Sequence, residues 1–298
     1  MENKKKLFAI SDMHSFYDET MKALADAKYD ENDPDNLIVI CGDILDRGPK
    51  SYAMFNWVKK MVEAKKAIYV RGNHESLFNN LVYRGYPQSI DLGDSNCTAE
   101  SVCQLVSEDK ISCIDMLPIS FFDACQKCKA VDKWIAENSV AYYEIGRYIF
   151  VHAWIPTKNL DGKPAYYVRN RKFAFDPNWR NASPNEWIEA SWGNPVNMFQ
   201  AGFYERDKTI VCGHWHASSF HNVLELNKSD IWDFQPGANF GIFRSKDNCL
   251  VAIDACTAYT GIVNVLVISD VNATPNDPIN LTLDSTKEVL ASYERKNG

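Results

Sequence analysis

Five short apolar runs are the feature of this sequence that most limits its fold. Each run has four or five residues, is rich in Val, Ile, Phe or Tyr, and is followed within a few positions by Asp, Asn or His. The runs are Leu7–Ile10, Leu37–Cys41, Ala67–Val70, Tyr148–Val151 and Thr209–Cys212. An uninterrupted apolar run of this length is typical of a strand that is buried on both faces. The pattern therefore predicts an α/β fold with parallel strands.

The spacing of the polar residues predicts how the first strands are connected. Asp12, Asp43 and Asn73 are 31 and 30 residues apart, about the length of one strand–helix–strand unit. Apolar residues recur at helical spacing in the two intervening segments. They are Tyr17, Met21, Leu24 and Ala25 in the first segment and Met54, Val58, Met61 and Val62 in the second. We therefore expect β–α–β–α–β over residues 7 to 70, with the polar side chains at the edge of the sheet where α/β proteins bind ligands.

Histidines and carboxylates after these strands predict a centre with two divalent metal ions. Five of the six histidines belong to the motifs Asp12–His14, Gly42–Gly48, Gly72–Glu75, His152 and Gly213–His216. Asp43 follows the central strand of the first three and is the expected bridge between the ions. We expect Asp12 and His14, which alternate on an extended segment, to bind the first ion, with His216 reaching the same ion. The expected ligands of the second ion are Asn73, His152 and His214.

The ligand types also predict the metal and the chemistry. Carboxylate, imidazole and amide ligands together suit transition metals better than Mg or Ca, and we expect Mn, with Fe, Zn or Ni as alternatives. Two such ions favour hydrolysis of a phosphoester by direct attack of a metal-bridging hydroxide, without a phosphoenzyme. His74, oriented by Asp46, would protonate the leaving oxygen, and Arg47 would bind the phosphate oxygens.

Two of these motifs resemble those of a known family. Gly42–Gly48 has the pattern Gly-Asp-x-x-Asp-Arg-Gly, and Arg71–Glu75 is Arg-Gly-Asn-His-Glu. In both, the chain resembles the calcineurin-like metallophosphoesterases, and most of all their phosphoprotein-phosphatase branch. That branch includes bacterial and phage serine/threonine phosphatases and symmetrical diadenosine-tetraphosphate hydrolases. Ile253–Gly261 is also similar to the family's penultimate strand and turn, so the resemblance covers residues 7–81, 141–155 and 209–268.

The resemblance implies a calcineurin-like four-layer fold of the α/β (α+β) class, with two mixed β-sheets packed as a sandwich, flanked by helices and carrying a helical insertion. It assigns metal ligands to Asp12, His14, Asp43, Asn73, His152 and His214, the acid pair to His74 and Asp46, and phosphate binding to Arg47. The family's Gly after Asp-x-His is Ser15 here, a change of little consequence if the backbone is extended. A second phosphate-binding arginine usually comes from the middle of the chain, where the candidates are Arg169, Arg171 and Arg180.

The rest of the chain predicts one domain over residues 1–298 with two additions. Residues 82–140 are expected to form an inserted helical cap, and a polar tail starts at about residue 270, with a short helix at 286–295. Five cysteines fall in the cap: Cys97, Cys103, Cys113, Cys125 and Cys128. Because only one CxxC pair is present, we expect free thiols there in preference to a zinc site. Nine cysteines in all, an odd number, favour reduced thiols in a cytoplasmic protein.

Charge and hydropathy limit the partners. The net charge of −7 argues against a nucleic acid as partner, because nucleic-acid binders usually carry a basic surface. No apolar stretch of about 18 residues is present, so we expect no membrane span. The expected partner is a phosphorylated protein, a small phosphoester or a nucleotide, and the sequence does not predict an oligomeric state.

Three functions are compatible with these motifs. The leading hypothesis is a phosphatase that hydrolyses phosphomonoesters, such as phosphoserine or phosphothreonine in proteins. The alternative is a nucleotide pyrophosphohydrolase of the symmetrical diadenosine-tetraphosphatase type, in which Trp154, Trp192 or Trp215 stacks on an adenine. The third is a non-catalytic metal-binding scaffold whose insertion recruits a partner.

Overall fold

The computed structural model describes residues 6–88, 96–160, 173–228 and 237–280. The strands are β1 Lys6–Ile10, β2 Asn36–Cys41, β3 Ala67–Val70, β4 Tyr143–Ile145, β5 Tyr148–Phe150, β6 Thr157–Asn159, β7 Phe173–Phe175, β8 Thr209–Cys212, β9 Phe243–Arg244, β10 Leu250–Ala252 and β11 Leu266–Ile268. The α-helices are α1 Tyr17–Asp26, α2 Ser51–Glu63, α3 Asn73–Arg84, α4 Thr98–Ser107, α5 Pro118–Asn138, α6 Pro184–Ala190, α7 Pro195–Gln200, α8 Ala217–Phe220 and α9 Thr257–Thr260. Single 3₁₀ turns lie at Cys113–Asp115 and Trp179–Asn181, and a π-helical turn at His221–Glu225.

The first sheet has the strand order β11-β1-β2-β3. β1, β2 and β3 are parallel, while β11 is antiparallel to β1. Helices α1 and α2 connect the three parallel strands, which confirms the β–α–β–α–β arrangement predicted for residues 7 to 70. The carboxyl ends of these strands therefore share one edge of the sheet.

The second sheet has the order β4-β5-β8-β10-β9. Its three central strands are parallel, and the edge strands β4 and β9 are antiparallel to their neighbours. Strands β4 and β5 form a hairpin around Gly146. Strands β9 and β10 join this sheet, whereas β11 crosses back to pair with β1.

The two sheets pack face to face, and helices or loops cover their outer faces. Leu7 and Ala9 of β1 lie in the core between the sheets with Val211 of the second sheet, whereas Phe8 and Ile10 lie in the core under the helices. This alternation buries both faces of the strand, which is why its sequence is apolar throughout. The four-layer sandwich expected from the sequence is present.

The region 82–140 is helical, and its two helices pack closely on the rest of the protein. Helix α5 lies against α3 and α4, and α4 also contacts α2. Val102, Phe121 and Ile135 from this region belong to the same buried cluster as the helices of the first sheet. After α5 the chain returns to the sheet, because Val140 forms a parallel bridge to Val70.

Three further expectations concern the cysteines, the tail and membranes. All nine cysteines are free thiols, and Cys125 and Cys128 are buried in the helical core. The start of the tail is held by Asn280, which accepts from the Ser269 backbone and donates to the Tyr148 hydroxyl, and the short helix expected at 286–295 lies outside the described residues. Within the described part of the chain, no helix combines the length and the hydropathy that a bilayer crossing requires.

Candidate metal centre

The carboxylate of Asp43, just beyond β2, is surrounded by three histidine rings from other strand ends. Its Oδ2 atom lies 3.9 Å from His14 Nε2, 3.8 Å from His74 Nε2 and 3.4 Å from His152 Nε2. All four side chains are buried. The structure thus brings together residues that are up to 138 positions apart in the sequence.

The hydrogen bonds at Nδ1 orient these rings. In each ring Nδ1 faces an oxygen that can only accept, so Nδ1–H donates to it and Nε2 lies on the side of the ring that faces the centre around Asp43. The acceptors are the Leu45 carbonyl for His14 (3.0 Å), the Asp46 carboxylate for His74 (2.7 Å) and the Cys41 carbonyl for His152 (2.8 Å). Metal-binding histidines are usually oriented in this way, through the nitrogen that does not face the metal.

Two overlapping groups of side chains have the geometry of metal ligands. One is His14, Asp43 and His74, and the other is Asp43, His152 and His214; within each group the potential ligand atoms all lie within 4.8 Å of one another. Asn73 adds to the second group, because its Oδ1 lies 2.7 Å from His152 Nε2. Asp43 belongs to both groups, which is the position that a bridging carboxylate requires.

The electrostatics of the site also suit cations. Burial lowers the pKa of His14, His152 and His214, and neighbouring cationic groups lower it further for His14 and His214, so the neutral form of these imidazoles is favoured. Burial raises the pKa of Asp43, and the nearby charges of Asp12 and Glu75 add to this effect. Several carboxylates and imidazole nitrogens therefore converge in a buried site. Divalent cations would offset the cost of burying these acceptors together.

Three glycines in the motifs make this close approach sterically feasible. A Cβ at any of these glycines would overlap an atom of a residue that follows a different strand. The pairs are Gly42 with His152 Nδ1, Gly72 with the Asp43 carboxylate, and Gly213 with the Asp12 carboxylate and Ser11 hydroxyl. Each Gly in the Gly-Asp, Gly-Asn and Gly-His pairs therefore provides space for a polar side chain that follows a different strand.

The backbone after β1 differs from the expectation. We expected Asp12 and His14 on an extended segment, but φ is 52° at Asp12, 46° at His14 and 63° at Ser15. These values lie in the left-handed region, so the extended backbone on which the replacement of Gly by Ser15 was expected to have little consequence is not present. A non-glycine residue in this region costs about 1–2 kcal/mol. At Ser15 a hydrogen bond to the Ser51 hydroxyl (2.8 Å) offsets part of that cost.

Asp12 and His216 occupy the border of the centre. The Asp12 Oδ2 atom accepts from the His214 backbone N–H (2.9 Å), and Asp12 belongs to neither ligand group of the described residues. His216 is also outside both groups and immediately precedes α8. Their roles as ligands stay predictions.

Arg47 lies between the two histidines of the first group. Its guanidinium donates to His14 Nε2 (2.9 Å) and to His74 Nε2 (3.1 Å). A fixed cation therefore faces the point at which these lone pairs and the Asp43 carboxylate converge. Asp46, completely buried, holds His74 from the other side.

Helix α4 of the insertion holds Asp46, a contact that the sequence did not reveal. Thr98 Oγ1 donates to Asp46 Oδ2 (2.8 Å) and Ser101 Oγ donates to Oδ1 (2.9 Å), while the Asp46 N–H donates back to Ser101 (2.9 Å). The Arg47 N–H donates to the Asn96 carbonyl (3.1 Å). The insertion therefore fixes both residues next to His74. No local signal identifies Thr98 or Ser101, because hydroxyl residues at the start of a helix are common.

Glu75 and Asp254 are two further buried carboxylates to which sequence reasoning gave no role. Glu75 accepts from the backbone N–H groups of Gly72 (2.7 Å), Asp43 (3.2 Å) and Ile44 (3.0 Å), so it ties the ends of β2 and β3 together. Asp254 follows β10, and burial together with the charge of Asp12 raises its pKa to about 7. Asp254 could have been found, because it follows an apolar run in the same manner as Asp12 and Asp43.

The arginines and tryptophans considered for a second phosphate contact and for base stacking lie in different environments. Arg180 donates to Glu144 and Glu205 through four hydrogen bonds of 2.6–3.1 Å, so its guanidinium is held by carboxylates. Arg169 and Arg171 lie outside the described residues. Trp154 is buried, whereas the Trp192 ring lies edge-on to the His214 ring, with centroids 6.4 Å apart. Trp215 packs at the margin of the core outside the second sheet.

Comparison with known proteins identifies the family. The family model of the calcineurin-like phosphoesterases matches residues 5–218. A bis(5′-nucleosyl)-tetraphosphatase [asymmetrical] of Halalkalibacterium halodurans is 39% identical over 214 residues, 69% of this chain and 76% of that protein. A Bacillus velezensis protein of the same name is 35% identical over 98 residues, which are 30% of this chain and only 39% of that relative.

Two further similarities are weaker. A symmetrical bis(5′-nucleosyl)-tetraphosphatase of Nitrosococcus oceani is 35% identical over 69 residues, 23% of each chain. The solved structure described as a putative diadenosine tetraphosphatase has a TM-score of 0.45 and 13% identity, and the match covers 89% of this chain and 90% of that one. From the family match and the identity to the Halalkalibacterium protein, the chain belongs to the calcineurin-like phosphoesterases, the family that its motifs resemble.

Proposed function

We propose that this protein is a hydrolase of phosphoric esters or anhydrides that works with two divalent ions. The observation that carries the proposal is that two groups of potential ligands share the Asp43 carboxylate, with the Arg47 guanidinium beside the first group. Buried acceptors that converge in this way are unfavourable without a counter-charge, which divalent cations would supply.

The ligands fall into two sets with Asp43 in common. Asp12, His14 and His216 are proposed for the first ion and Asn73, His152 and His214 for the second; Mn is the metal that we propose for this mixed donor set. When bound, the two ions supply a nucleophilic water at neutral pH and neutralise phosphate charge.

The side chains around the ions have complementary roles in the reaction. The Arg47 guanidinium can donate two parallel hydrogen bonds to the non-bridging phosphate oxygens. His74 Nε2 would carry the proton for the leaving oxygen, while the Asp46 carboxylate keeps the ring in place through Nδ1. Because Arg47 now donates to the same Nε2, a bound phosphate that draws Arg47 away would free His74 for proton transfer.

For the substrate we propose a dinucleoside polyphosphate that is cleaved asymmetrically. The support is the 39% identity to a relative that carries the name of an asymmetrical tetraphosphatase. The alternative expected from the sequence is the symmetrical type. The two types differ in their products, because an asymmetrical cut of four phosphates gives a mono- and a triphosphate and a symmetrical cut gives two diphosphates.

A phosphomonoester, such as phosphoserine in a protein, is the second candidate. The observation that favours it is the pairing of His74 with Asp46 (2.7 Å). An alkoxide needs a proton as it leaves, whereas a phosphate leaving group does not, so a positioned acid is of most use for an alkyl ester.

One comparison tests these proposals. Purified protein with Mn is given diadenosine tetraphosphate, a phosphoserine peptide and p-nitrophenyl phosphate, and the products are separated by anion-exchange chromatography. We expect ATP and AMP from the dinucleotide, and none from an Asp43→Asn variant of the same fold. ADP as the sole nucleotide product, or faster cleavage of the peptide than of the dinucleotide, would overturn the substrate proposal. No hydrolysis of any of the three would overturn the function and favour the scaffold.

A further inference from the structure

A cavity of ≈ 380 Å³ opens beside the second set of metal ligands. Its lining includes Arg71, Gly72 and His152, which follow β3 and β5. Ala136 and Val140, from the end of α5 and the segment after it, also line the cavity, as do Trp187 and Ile188 of α6. The insertion and the aromatic segment, which the family motifs do not include, therefore meet at this cavity.

Among the described residues that line the cavity, Arg71 carries the positive charge. Its backbone is fixed, because its N–H donates to the Val140 carbonyl (2.9 Å). Its Nε is buried without a hydrogen-bond partner, and no described carboxylate forms an ion pair with its guanidinium. Arg180, by contrast, is held by Glu144 and Glu205. An unpaired guanidinium group with a buried donor is unfavourable unless an anion binds to it.

The remaining lining suits a flat, largely apolar group. Pro184, Trp187 and Ile188 form one side, and the Trp187 ring is held by stacking on Tyr142, with centroids 5.1 Å apart and 13° between the planes. A cavity of this size, with aromatic walls and a few polar groups, is typical of a site for a small organic ligand. The lining includes His152 of the second ligand group, so the cavity adjoins the candidate metal centre.

We propose that this cavity binds one nucleoside of the substrate and the phosphate attached to that nucleoside. Both groups belong to the part of the substrate that leads away from the cleaved bond. The proposal rests on the proposed function, since it places the phosphate that is cleaved at the Asp43 centre. The next phosphate would accept hydrogen bonds from Arg71, and the base would lie against Trp187 and Ile188. A phosphoserine side chain has one phosphate and no flat group beside it, so it would leave Arg71 unpaired.

A pair of alanine-to-tryptophan variants tests the cavity. Ala136 and Ala130 are both exposed positions on α5, but only Ala136 lines the cavity. We expect Ala136→Trp to fill it and to lower the ratio of kcat/KM for diadenosine tetraphosphate to that for p-nitrophenyl phosphate by about tenfold or more. Ala130→Trp should keep the wild-type ratio. If both variants keep that ratio, or if Ala136→Trp impairs only a phosphopeptide, the proposal is wrong.

A binding measurement separates this proposal from the proposed function. Adenosine has no phosphate to lose, so its affinity for the Mn-loaded protein can be measured by calorimetry whether or not the protein is active. We expect binding to wild type and Ala130→Trp, and at least about tenfold weaker binding to Ala136→Trp. Absence of adenosine binding to the wild type would overturn the cavity proposal. Absence of phosphoester hydrolysis with intact adenosine binding would overturn only the function.

The phosphate half of the site is tested at Arg71. Arg71→Ala should raise the KM for diadenosine tetraphosphate about 10- to 100-fold, because a charged hydrogen bond is lost, and Arg71→Lys should lose less since it keeps the charge. Both variants should bind adenosine as the wild type does, and their Mn content shows whether the neighbouring ligands remain in place. An unchanged KM in Arg71→Ala with full Mn content would contradict the role of Arg71.

Discussion

Gly72 lies against the Asp43 carboxylate so closely that a side chain at position 72 would overlap Asp43 Oδ1. The Gly72 N–H also donates to Glu75, which in turn accepts from the Asp43 N–H. Asp43 is the residue shared by both ligand groups, so its position depends on the absence of a Cβ on the neighbouring strand end. This contact connects a conformational property of glycine to metal binding.

Replacement of Gly72 by alanine should therefore impair metal binding. We expect Gly72→Ala to lower Mn affinity by about 100-fold, because the added Cβ would displace the Asp43 carboxylate from the position in which it can bind the metal. Metal content after equilibrium dialysis is the measurement. Gly202→Ala is the control: φ is +76° there but nothing lies within 4 Å of the added Cβ, so we expect a stability loss of about 1 kcal/mol and unchanged Mn affinity. Equal affinities in the two variants would contradict the steric explanation.

Thr98 is expected to act on the reaction through Asp46 and His74. Thr98→Val keeps the shape of the side chain and removes the donor to Asp46, whereas Thr98→Ser keeps the donor. We expect Thr98→Val to slow hydrolysis of phenyl phosphate about tenfold more than that of p-nitrophenyl phosphate, since the better leaving group needs less help from an acid. Thr98→Ser should restore the wild-type ratio of the two rates. A parallel loss on both substrates would show that Thr98 only supports the fold.

The positions of the main site residues could be predicted because strands buried on both faces leave a simple pattern. An apolar run ends where the strand leaves the core, and the next polar side chain lies at the sheet edge, as it does for Asp43 and His152. Spacing of about 30 residues between such ends then gives the connections. For the same reason Asp254 should have been included among the candidates.

Other contacts could not be predicted because they depend on long-range packing. Thr98 is 52 residues from Asp46, and neither its type nor its neighbours indicate the partner. The left-handed backbone at Asp12, His14 and Ser15 is imposed by contacts with the chain after β2, where His14 N donates to the Asp43 carbonyl and Ser15 N donates to that of Ile44. The return of β11 to the first sheet is likewise determined by pairing with β1, which a run of three apolar residues does not specify.

Glu144 should contribute stability that disappears in acid. Its hydrogen bonds to Arg180 and Lys208 lower its pKa from 4.5 to about 2. Because the folded pKa is below the unfolded one, the contribution is complete above about pH 4.5 and is lost as the pH falls toward 2. We expect Glu144→Gln to lower the free energy of unfolding by about 1 kcal/mol at pH 7, since solvent screens this half-exposed group. Urea unfolding should show the difference from wild type shrinking between pH 4.5 and 3.

A matched substitution checks that interpretation. Glu137 forms an exposed pair with Lys133 (3.7 Å), so Glu137→Gln should change the free energy of unfolding by less than about 0.5 kcal/mol at every pH. If the effect of Glu144→Gln were the same at pH 7 and pH 3, the network around Arg180 would not be the cause.

The number of Mn ions bound to histidine variants should show which histidines are ligands. His152 belongs to the second ligand group and contacts Asn73, so His152→Ala should weaken the binding of one of two Mn ions by about 100-fold while the other ion is retained. His216 is proposed for the first ion but lies outside both groups of the described residues, so we expect His216→Ala to weaken binding of that ion by about tenfold while both ions are retained. His221 bonds to Glu225 and to the Gly241 carbonyl, which makes His221→Ala the control with unchanged Mn binding. Mass spectrometry of the intact native protein counts the ions directly. Loss of an ion in His216→Ala but not in His152→Ala would show that the two ligand sets are assigned incorrectly.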